Sequence, residues 1–309
     1  MAIQVIGLNP AVDVEWRVAR VNLNEKTIIR SSRSWAGGKP PNVARWLRFL
    51  GGDVRLLMPL GGASGALIAR EMQSTGVNLV SVAISEETRS NVMVTPDQGK
   101  QLRFNPQGPR LKRDEWAAVF AQAEGGFRGT SLTVLSGSLP RAAGVTTYAR
   151  LTRAGRRAEQ RVILDCDGPA FAAGIKAGPF LVKPNRFELG LWVGQPVTTV
   201  PAIRSAASEL SRATGGWVLV SLDAGGGLLV NARERFHAKA AAPKVKALNE
   251  VGAGDALLAR VALEIERGSE PQEWLRRGVG TGSAFVQVPA GTLPGKRLIH
   301  RTEKLVRVD

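Results

Sequence analysis

Asn249-Glu250-Val251-Gly252-Ala253-Gly254-Asp255 runs directly into the apolar helical stretch 256–263. A glycine-rich turn that opens a helix gathers several backbone N–H groups, and the positive end of the helix dipole, at one point. An aspartate held at that point is available to take a proton. Amides of Gly252, Ala253 and Gly254 facing a transferring phosphate, with Asp255 beside the acceptor oxygen, are the parts needed to move a phosphoryl group onto a hydroxyl. Alone, the same pattern also describes an ordinary helix cap.

Three other stretches carry comparable chemistry. In Trp35-Ala36-Gly37-Gly38-Lys39-Pro40-Pro41-Asn42 the glycines allow close approach to the backbone and the prolines preset a first helical turn. Lys39 and Asn42 there can hold the hydroxyls or phosphate of a small polar ligand, although a rigid loop-to-helix junction explains the prolines equally well. Lys183-Pro184-Asn185-Arg186-Phe187-Glu188 follows an apolar strand, and Asn185 and Glu188, three apart, share a helix face. One carboxylate and one amide suit Mg2+; a glutamate complementing the helix dipole is the plainer reading. Ser221-Leu222-Asp223-Ala224-Gly225-Gly226-Gly227 reads as strand, glycine turn and second strand. It is either a low wall for a nucleotide or a simple hairpin.

The elements that must position these groups alternate. Apolar runs at 3–7, 54–58, 132–135, 162–164, 180–182 and 217–221 are interleaved with helical periodicity at 42–50, 64–76, 112–123, 145–157, 201–214 and 256–267. Alternation of this kind predicts a mostly parallel sheet covered on both faces, with ligands beyond the carboxyl ends of its strands. Segments 11–36 and 88–106 break the pattern with β-type alternation, around a turn at Pro96-Asp97-Gln98-Gly99 in the second. They predict a small antiparallel sheet, either a lid that excludes water from the strand ends or a hairpin that only packs. Its exposed edge, with Trp16 and Trp35, makes lid-to-lid pairing in a homodimer an expectation.

Composition narrows the classes. At 309 residues and 44% hydrophobic content the chain suits one large α/β domain over 1–309. No apolar run approaches the ~20 residues of a membrane span, and the first residues read as a strand, not a signal peptide. The single cysteine, Cys166, excludes an intrachain disulfide and fits a reducing, cytoplasmic compartment; its apolar surroundings make it a core residue. Two histidines cannot build a His/Cys zinc cluster. The net charge of +16, from 42 Lys+Arg against 26 Asp+Glu, favours anionic partners. These cations are dispersed, without a basic block, so a solvated basic surface is expected over nucleic-acid binding.

Taken together, and with Ile6-Gly7-Leu8-Asn9-Pro10-Ala11-Val12-Asp13 and Leu135-Ser136-Gly137-Ser138-Leu139-Pro140, the chain resembles the ribokinase-like PfkB carbohydrate kinases over roughly residues 3–290. Within them it is similar to the sugar-phosphate branch of phosphofructokinases and tagatose-6-phosphate kinases. The resemblance implies a three-layer α/β/α domain with the small β lid, ATP and Mg2+ as cofactors with a monovalent cation besides, and transfer to a ketohexose phosphate, fructose 6-phosphate first. It implies that Asp255 is the base and that Gly252, Ala253 and Gly254 bind the transferring phosphate. Asp13, Gly37, Gly38, Lys39 and Asn42 would hold the sugar. Lys26, Arg89 and Arg103, with Ser138 close by, would grip its phosphate. Lys183, Asn185, Glu188, Ser221 and Gly226 would lie on the nucleotide side, with Glu188 and Asn185 reaching Mg2+ through water.

Four positions depart from the family pattern: Pro40 for glycine, Glu250 for threonine, Asp223 for glycine and Ala256 for serine. Pro40, Asp223 and Glu250 support the alternative of a degenerate member that binds sugar phosphate or nucleic acid without catalysis.

Overall fold

The structure is a computed structural model and describes residues 2–249 and 251–309. Its first strands are β1 (Ala2–Ile6), β2 (Ala11–Val18), β3 (Ile29–Gly37), β4 (Val54–Leu60), β5 (Asn78–Ala83), β6 (Arg89–Pro96) and β7 (Leu102–Phe104). They are followed by β8 (Thr130–Ser136), β9 (Arg161–Asp165), β10 (Leu181–Val182), β11 (Trp217–Ser221), β12 (Gly227–Asn231) and β13 (Phe236–Ala240). Helices α1 (Lys39–Phe49), α2 (Gly62–Ser74), α3 (Arg113–Phe127), α4 (Thr147–Arg157) and α5 (Gly168–Ile175) lie in the first part of the chain. The second part holds α6 (Arg186–Val193), α7 (Val200–Thr214), α8 (Ala253–Glu266), α9 (Pro271–Phe285) and α10 (Lys296–Leu305).

Nine strands form the main sheet in the order β13-β12-β11-β10-β9-β8-β1-β4-β5. All its pairings from β5 to β11 are parallel, and only the β11–β12 and β12–β13 pairings at one edge are antiparallel. Alternate residues of each strand enter opposite cores. Val5, Leu56, Val134, Ile163 and Leu219 pack toward Trp46, Ile68, Leu258 and Leu275 of α1, α2, α8 and α9. Ile6, Leu57, Leu135, Leu164 and Val218 pack toward Val119, Tyr148 and Leu210 of α3, α4 and α7. This two-sided burial is why these strands read as continuous apolar runs, and it gives the expected three layers. Cys166 is buried in the second core, as its surroundings suggested.

Sequence periodicity passes over α9, because Gly278, Gly280 and Gly282 weaken its helical signal. Packing requires them. A Cβ on Gly280 would lie 2.5 Å from Glu303 Cα, and one on Gly282 would lie 3.1 Å from Ala253 O at the start of α8. Close approach of α9 thus buttresses the turn that carries Asp255.

The lid is a separate four-stranded sheet in the order β3-β2-β6-β7. It occupies the two segments set aside by the sequence. Both its hairpins are antiparallel, and they join through a parallel β2–β6 pair. The centre is parallel because α1 to β5 intervene between the hairpins, so β2 and β6 enter the lid from the same end.

Candidate active site

The glycine turn, the Lys-Pro-Asn turn and the lid meet over the carboxyl ends of β1, β8, β9, β10 and β11. Gly252 caps α8 in the left-handed region (φ 95°), which swings the chain into the helix with Asp255 in its first turn. Among the described residues, the N–H groups of Gly252, Ala253 and Gly254 meet no acceptor. Asp255 is 7% exposed. Asn42 Nδ2 donates to its Oδ2 at 2.9 Å. Burial, reinforced by the nearby Asp165 carboxylate, pushes its pKa up to about 6, against the opposing pull of Lys39, Asn42 and Lys183.

Asp165 is the site residue that sequence reasoning missed. It ends β9, is fully buried, and its Oδ1 lies 2.9 Å from Lys39 Nζ and 3.2 Å from Lys183 Nζ. Burial opposes its charge, but the two ammonium groups outweigh that and hold its pKa below the usual value. Lys39 is likewise desolvated, yet Asp165, Glu188 and Asp255 together raise its pKa above that of a free lysine. Lys39 therefore stands among the carboxylates Asp165, Glu188 and Asp255. An acid terminating an otherwise apolar strand, Val162-Ile163-Leu164-Asp165, was the available signal.

Asn185 and Glu188 form a reciprocal capping box at the start of α6: Glu188 N–H donates to Asn185 Oδ1 and Asn185 N–H to Glu188 Oε2, both at 2.8 Å. The plain capping role is thus real and leaves Glu188 Oε1 available. A single carboxylate oxygen, completed by waters and substrate phosphates, fits the ligand habits of Mg2+. Ser221 N–H donates to Pro184 O at 3.2 Å, so the Lys-Pro-Asn turn and the end of β11 are joined. Gly226 (φ 92°) has no room for a side chain, since its Cβ would meet Ala240 O at 2.0 Å. Asp223 adopts φ 50°, a left-handed conformation that aspartate tolerates better than most residues.

On the lid, Asp13 is 8% exposed. Its Oδ1 accepts from Asn91 Nδ2 at 2.8 Å and its Oδ2 from Gly38 N–H at 3.3 Å. Burial raises its pKa, while Asn91, Gly38 N–H and Arg89 work the other way. Gly37 and Gly38 serve this carboxylate: a Cβ on Gly37 would stand 2.1 Å from Asp13 Cγ. Asn91 was not singled out, although its Oδ1 is buried and has no partner among the described residues. Arg89 donates to Asn9 O, Pro106 O and Ser138 Oγ, and Asn9 Nδ2 also reaches Ser138 Oγ at 3.0 Å. Arg103 is exposed and bonded to Gln101, but its register with Met93 puts it on the face that carries Asp13 and Asn91. Lys26 lies exposed in the loop between β2 and β3, and the structure does not bring it into this cluster.

Pro40 is buried in the second turn position of α1, where its ring fills the space above Gly7. Ala256 is wholly buried in core, and Glu250 lies outside the described residues.

An amide-lined helix start, a buried acid beside it and a cation-bearing lid define a kinase of the sugar type, and the comparisons agree. The chain belongs to the pfkB family carbohydrate kinases, whose profile matches residues 11–296. It is 35% identical over 261 residues to 1-phosphofructokinase of Rhodobacter capsulatus, covering 84% of this chain and 82% of that one. It is 33% identical over 286 residues to ATP-dependent 6-phosphofructokinase isozyme 2 of Mycobacterium tuberculosis, covering 92% and 84%. Among solved structures, phosphofructokinase-2 from Escherichia coli in complex with fructose-6-phosphate superposes with TM-score 0.88 at 28% identity, covering 98% of each chain. Arabidopsis thaliana ribokinase, at 22% identity and TM-score 0.80, shares the fold. The protein is a sugar-phosphate kinase, a phosphotransferase that acts on a hydroxyl and uses ATP. Among the described residues no helix is long and apolar enough to cross a membrane, and no cluster of His, Cys, Asp and Glu is arranged to hold a metal.

Proposed function

We propose that this kinase transfers the γ-phosphoryl group of ATP to a hydroxyl of fructose 6-phosphate, with Asp255 as the base. The observation that carries the reading is Asp255 itself: buried, beside the helix-start amides of Gly252, Ala253 and Gly254, and tuned to about 6. A carboxylate with that affinity is ionised at neutral pH yet basic enough to accept a hydroxyl proton as the bond to phosphorus forms. Asn42 fixes its orientation through Oδ2, leaving Oδ1 for the acceptor. The amides of Gly252, Ala253 and Gly254 would bind the transferring phosphoryl oxygens. Lys39 and Lys183, held by Asp165, bring two cations to the same path.

Mg2+ bound near Glu188 Oε1 would offset the charge on the phosphate oxygens. A monovalent-cation requirement is tested by replacing potassium with tetramethylammonium, an E. coli phosphofructokinase-2 structure being a potassium complex. Asp13 would bind sugar hydroxyls, while Arg89 and Ser138, with Arg103 on the same face and Lys26 from the loop, would bind the existing phosphate. Arginine's planar fork suits that dianion. Lys39 sits on Asp165, so it does not bear on which end of the sugar carries phosphate. The same reading places the enzyme in the cytoplasm, with ATP and phosphorylated sugars, as a homodimer paired through the lid.

Asp255→Asn tests the base. Under saturating ATP, Mg2+ and fructose 6-phosphate, turnover should fall 10²-fold or more. Turnover within tenfold of wild type would remove Asp255 from that role. Activity on free sugars but not on sugar phosphates would remove the phosphate clamp.

A further inference from the structure

The lid sheet sets out its site-facing side chains in rows. One row, across β3, β2 and β6, reads Trp35, Asp13, Asn91; the next, extending to β7, reads Arg33, Glu15, Met93, Arg103. Trp35 therefore faces the site and does not belong to the outer face on which a lid-to-lid contact was expected. It lines the same cavity as Asp13, Asn42, Met93 and Gly252. Behind it, Gly291 (φ 74°) presents bare backbone, where an added Cβ would lie 3.1 Å from the indole. Arg33 holds this arrangement from the side, with its guanidinium 5.5 Å from the Trp35 ring and Nη2 donating to Ala290 O at 3.0 Å.

The cations assigned to the substrate phosphate, Arg89 and Arg103, lie on β6 and β7. Trp35 lies on β3, across β2 from them, and lines one cavity with Asn42, the residue that orients Asp255. Strands are spaced about 4.8 Å apart, so β3 runs roughly 10 Å from β6 and 14 Å from β7 across the sheet. That order is a property of the sheet's pairing. A sugar gripped by its phosphate at one end meets an aromatic wall, backed by the 290–293 segment, just beyond its accepting hydroxyl.

We propose that Trp35, seated on Gly291, is a specificity-determining residue that measures the distance between the phosphate and the accepting hydroxyl and so selects six-carbon ketose phosphates. This rests on the proposed sugar-phosphate reading and deepens it. A seven-carbon ketose 7-phosphate sets its phosphate one carbon further from the same hydroxyl, about 1.5 Å per bond. With the phosphate clamped, that extra length would drive the hydroxyl end into the indole. A single extra methylene against such a wall is worth about 10–200-fold in kcat/KM.

The test compares fructose 6-phosphate with sedoheptulose 7-phosphate for wild type, Trp35→Phe and Trp35→Ala, with thermal melting to verify folding. Wild type should prefer the six-carbon substrate by tenfold or more. Trp35→Ala should cut that preference at least tenfold, mainly through a lower KM for the seven-carbon substrate, with Trp35→Phe between. An unchanged preference in Trp35→Ala, or equal losses on both substrates, would overturn the ruler and leave the kinase reading standing. A wild-type enzyme that phosphorylates neither would overturn both, and it is recognised before any variant is made.

Discussion

Asp255 combines function with a cost to the fold. Unfolded, its carboxyl titrates near the ordinary aspartate value of 3.8; folded, it keeps its proton up to about pH 6. The folded state therefore binds the extra proton between those values. Stability from this residue is fullest at acid pH and is lost as the pH rises through about 6. At neutral pH the ionised form costs the fold on the order of 2–3 kcal/mol. Asp255→Asn should thus melt roughly 3–6 °C above wild type at pH 7.5 while losing turnover, and the gain should vanish below pH 4. In wild type, kcat should fall on acidification with a midpoint near 6. Asp165→Asn should move that midpoint lower, since the Asp165 carboxylate is one cause of the raised value, and should lower the melting temperature by stranding buried Lys183. Gly37→Ala has a different signature. Its Cβ collides with Asp13, so KM for the sugar phosphate should rise tenfold or more while KM for ATP stays within twofold.

The start of α6 shows how one element can satisfy two readings of the same residues. Asn185 and Glu188 close a capping box, which accounts for both without any ligand. Glu188→Gln keeps the acceptor oxygen needed by Asn185 N–H but loses the charge. Its melting temperature should stay within about 2 °C of wild type, while the Mg2+ concentration for half-maximal activity should rise at least fivefold. Glu188→Ala should lose both stability and activity, by about 1 kcal/mol in stability. A parallel rise in Mg2+ requirement and fall in melting temperature in both variants would reduce Glu188 to a cap. The glycines of α9 belong to this scale too: they deprive the helix of a sequence signal, yet they seat it against α8 and α10.

Across the whole molecule, the lid leaves an apolar face turned away from the site. Trp16, Val92 and Val94 are half-buried there, beside the exposed Leu102 and Phe104. A second copy pairing through this face is the assembly proposed above. Sedimentation at micromolar concentration should give a dimer for wild type and a monomer for Phe104→Lys paired with Trp16→Lys, with unchanged folding by circular dichroism. A wild-type monomer would end that proposal. Some of the arginines are balanced within the fold: Arg260 and Arg277 pair with the buried Glu264, and Arg260 also with Glu303, tying α8, α9 and α10 together.

The sequence by itself determined the alternation of strands and helices, the two lid segments, and the glycine turns and capping spacings found around the candidate site. These are local properties: apolar runs, glycine turns and capping spacings act over a few neighbours and survive without tertiary context. It could not show that Lys39 and Lys183 share Asp165, that Gly37 makes room for Asp13, or that Trp35 turns inward onto Gly291. Those contacts join residues between 18 and 256 positions apart in the chain. Only burial in a common cleft brings them together, and only there do desolvation and neighbouring charge set what each group can do.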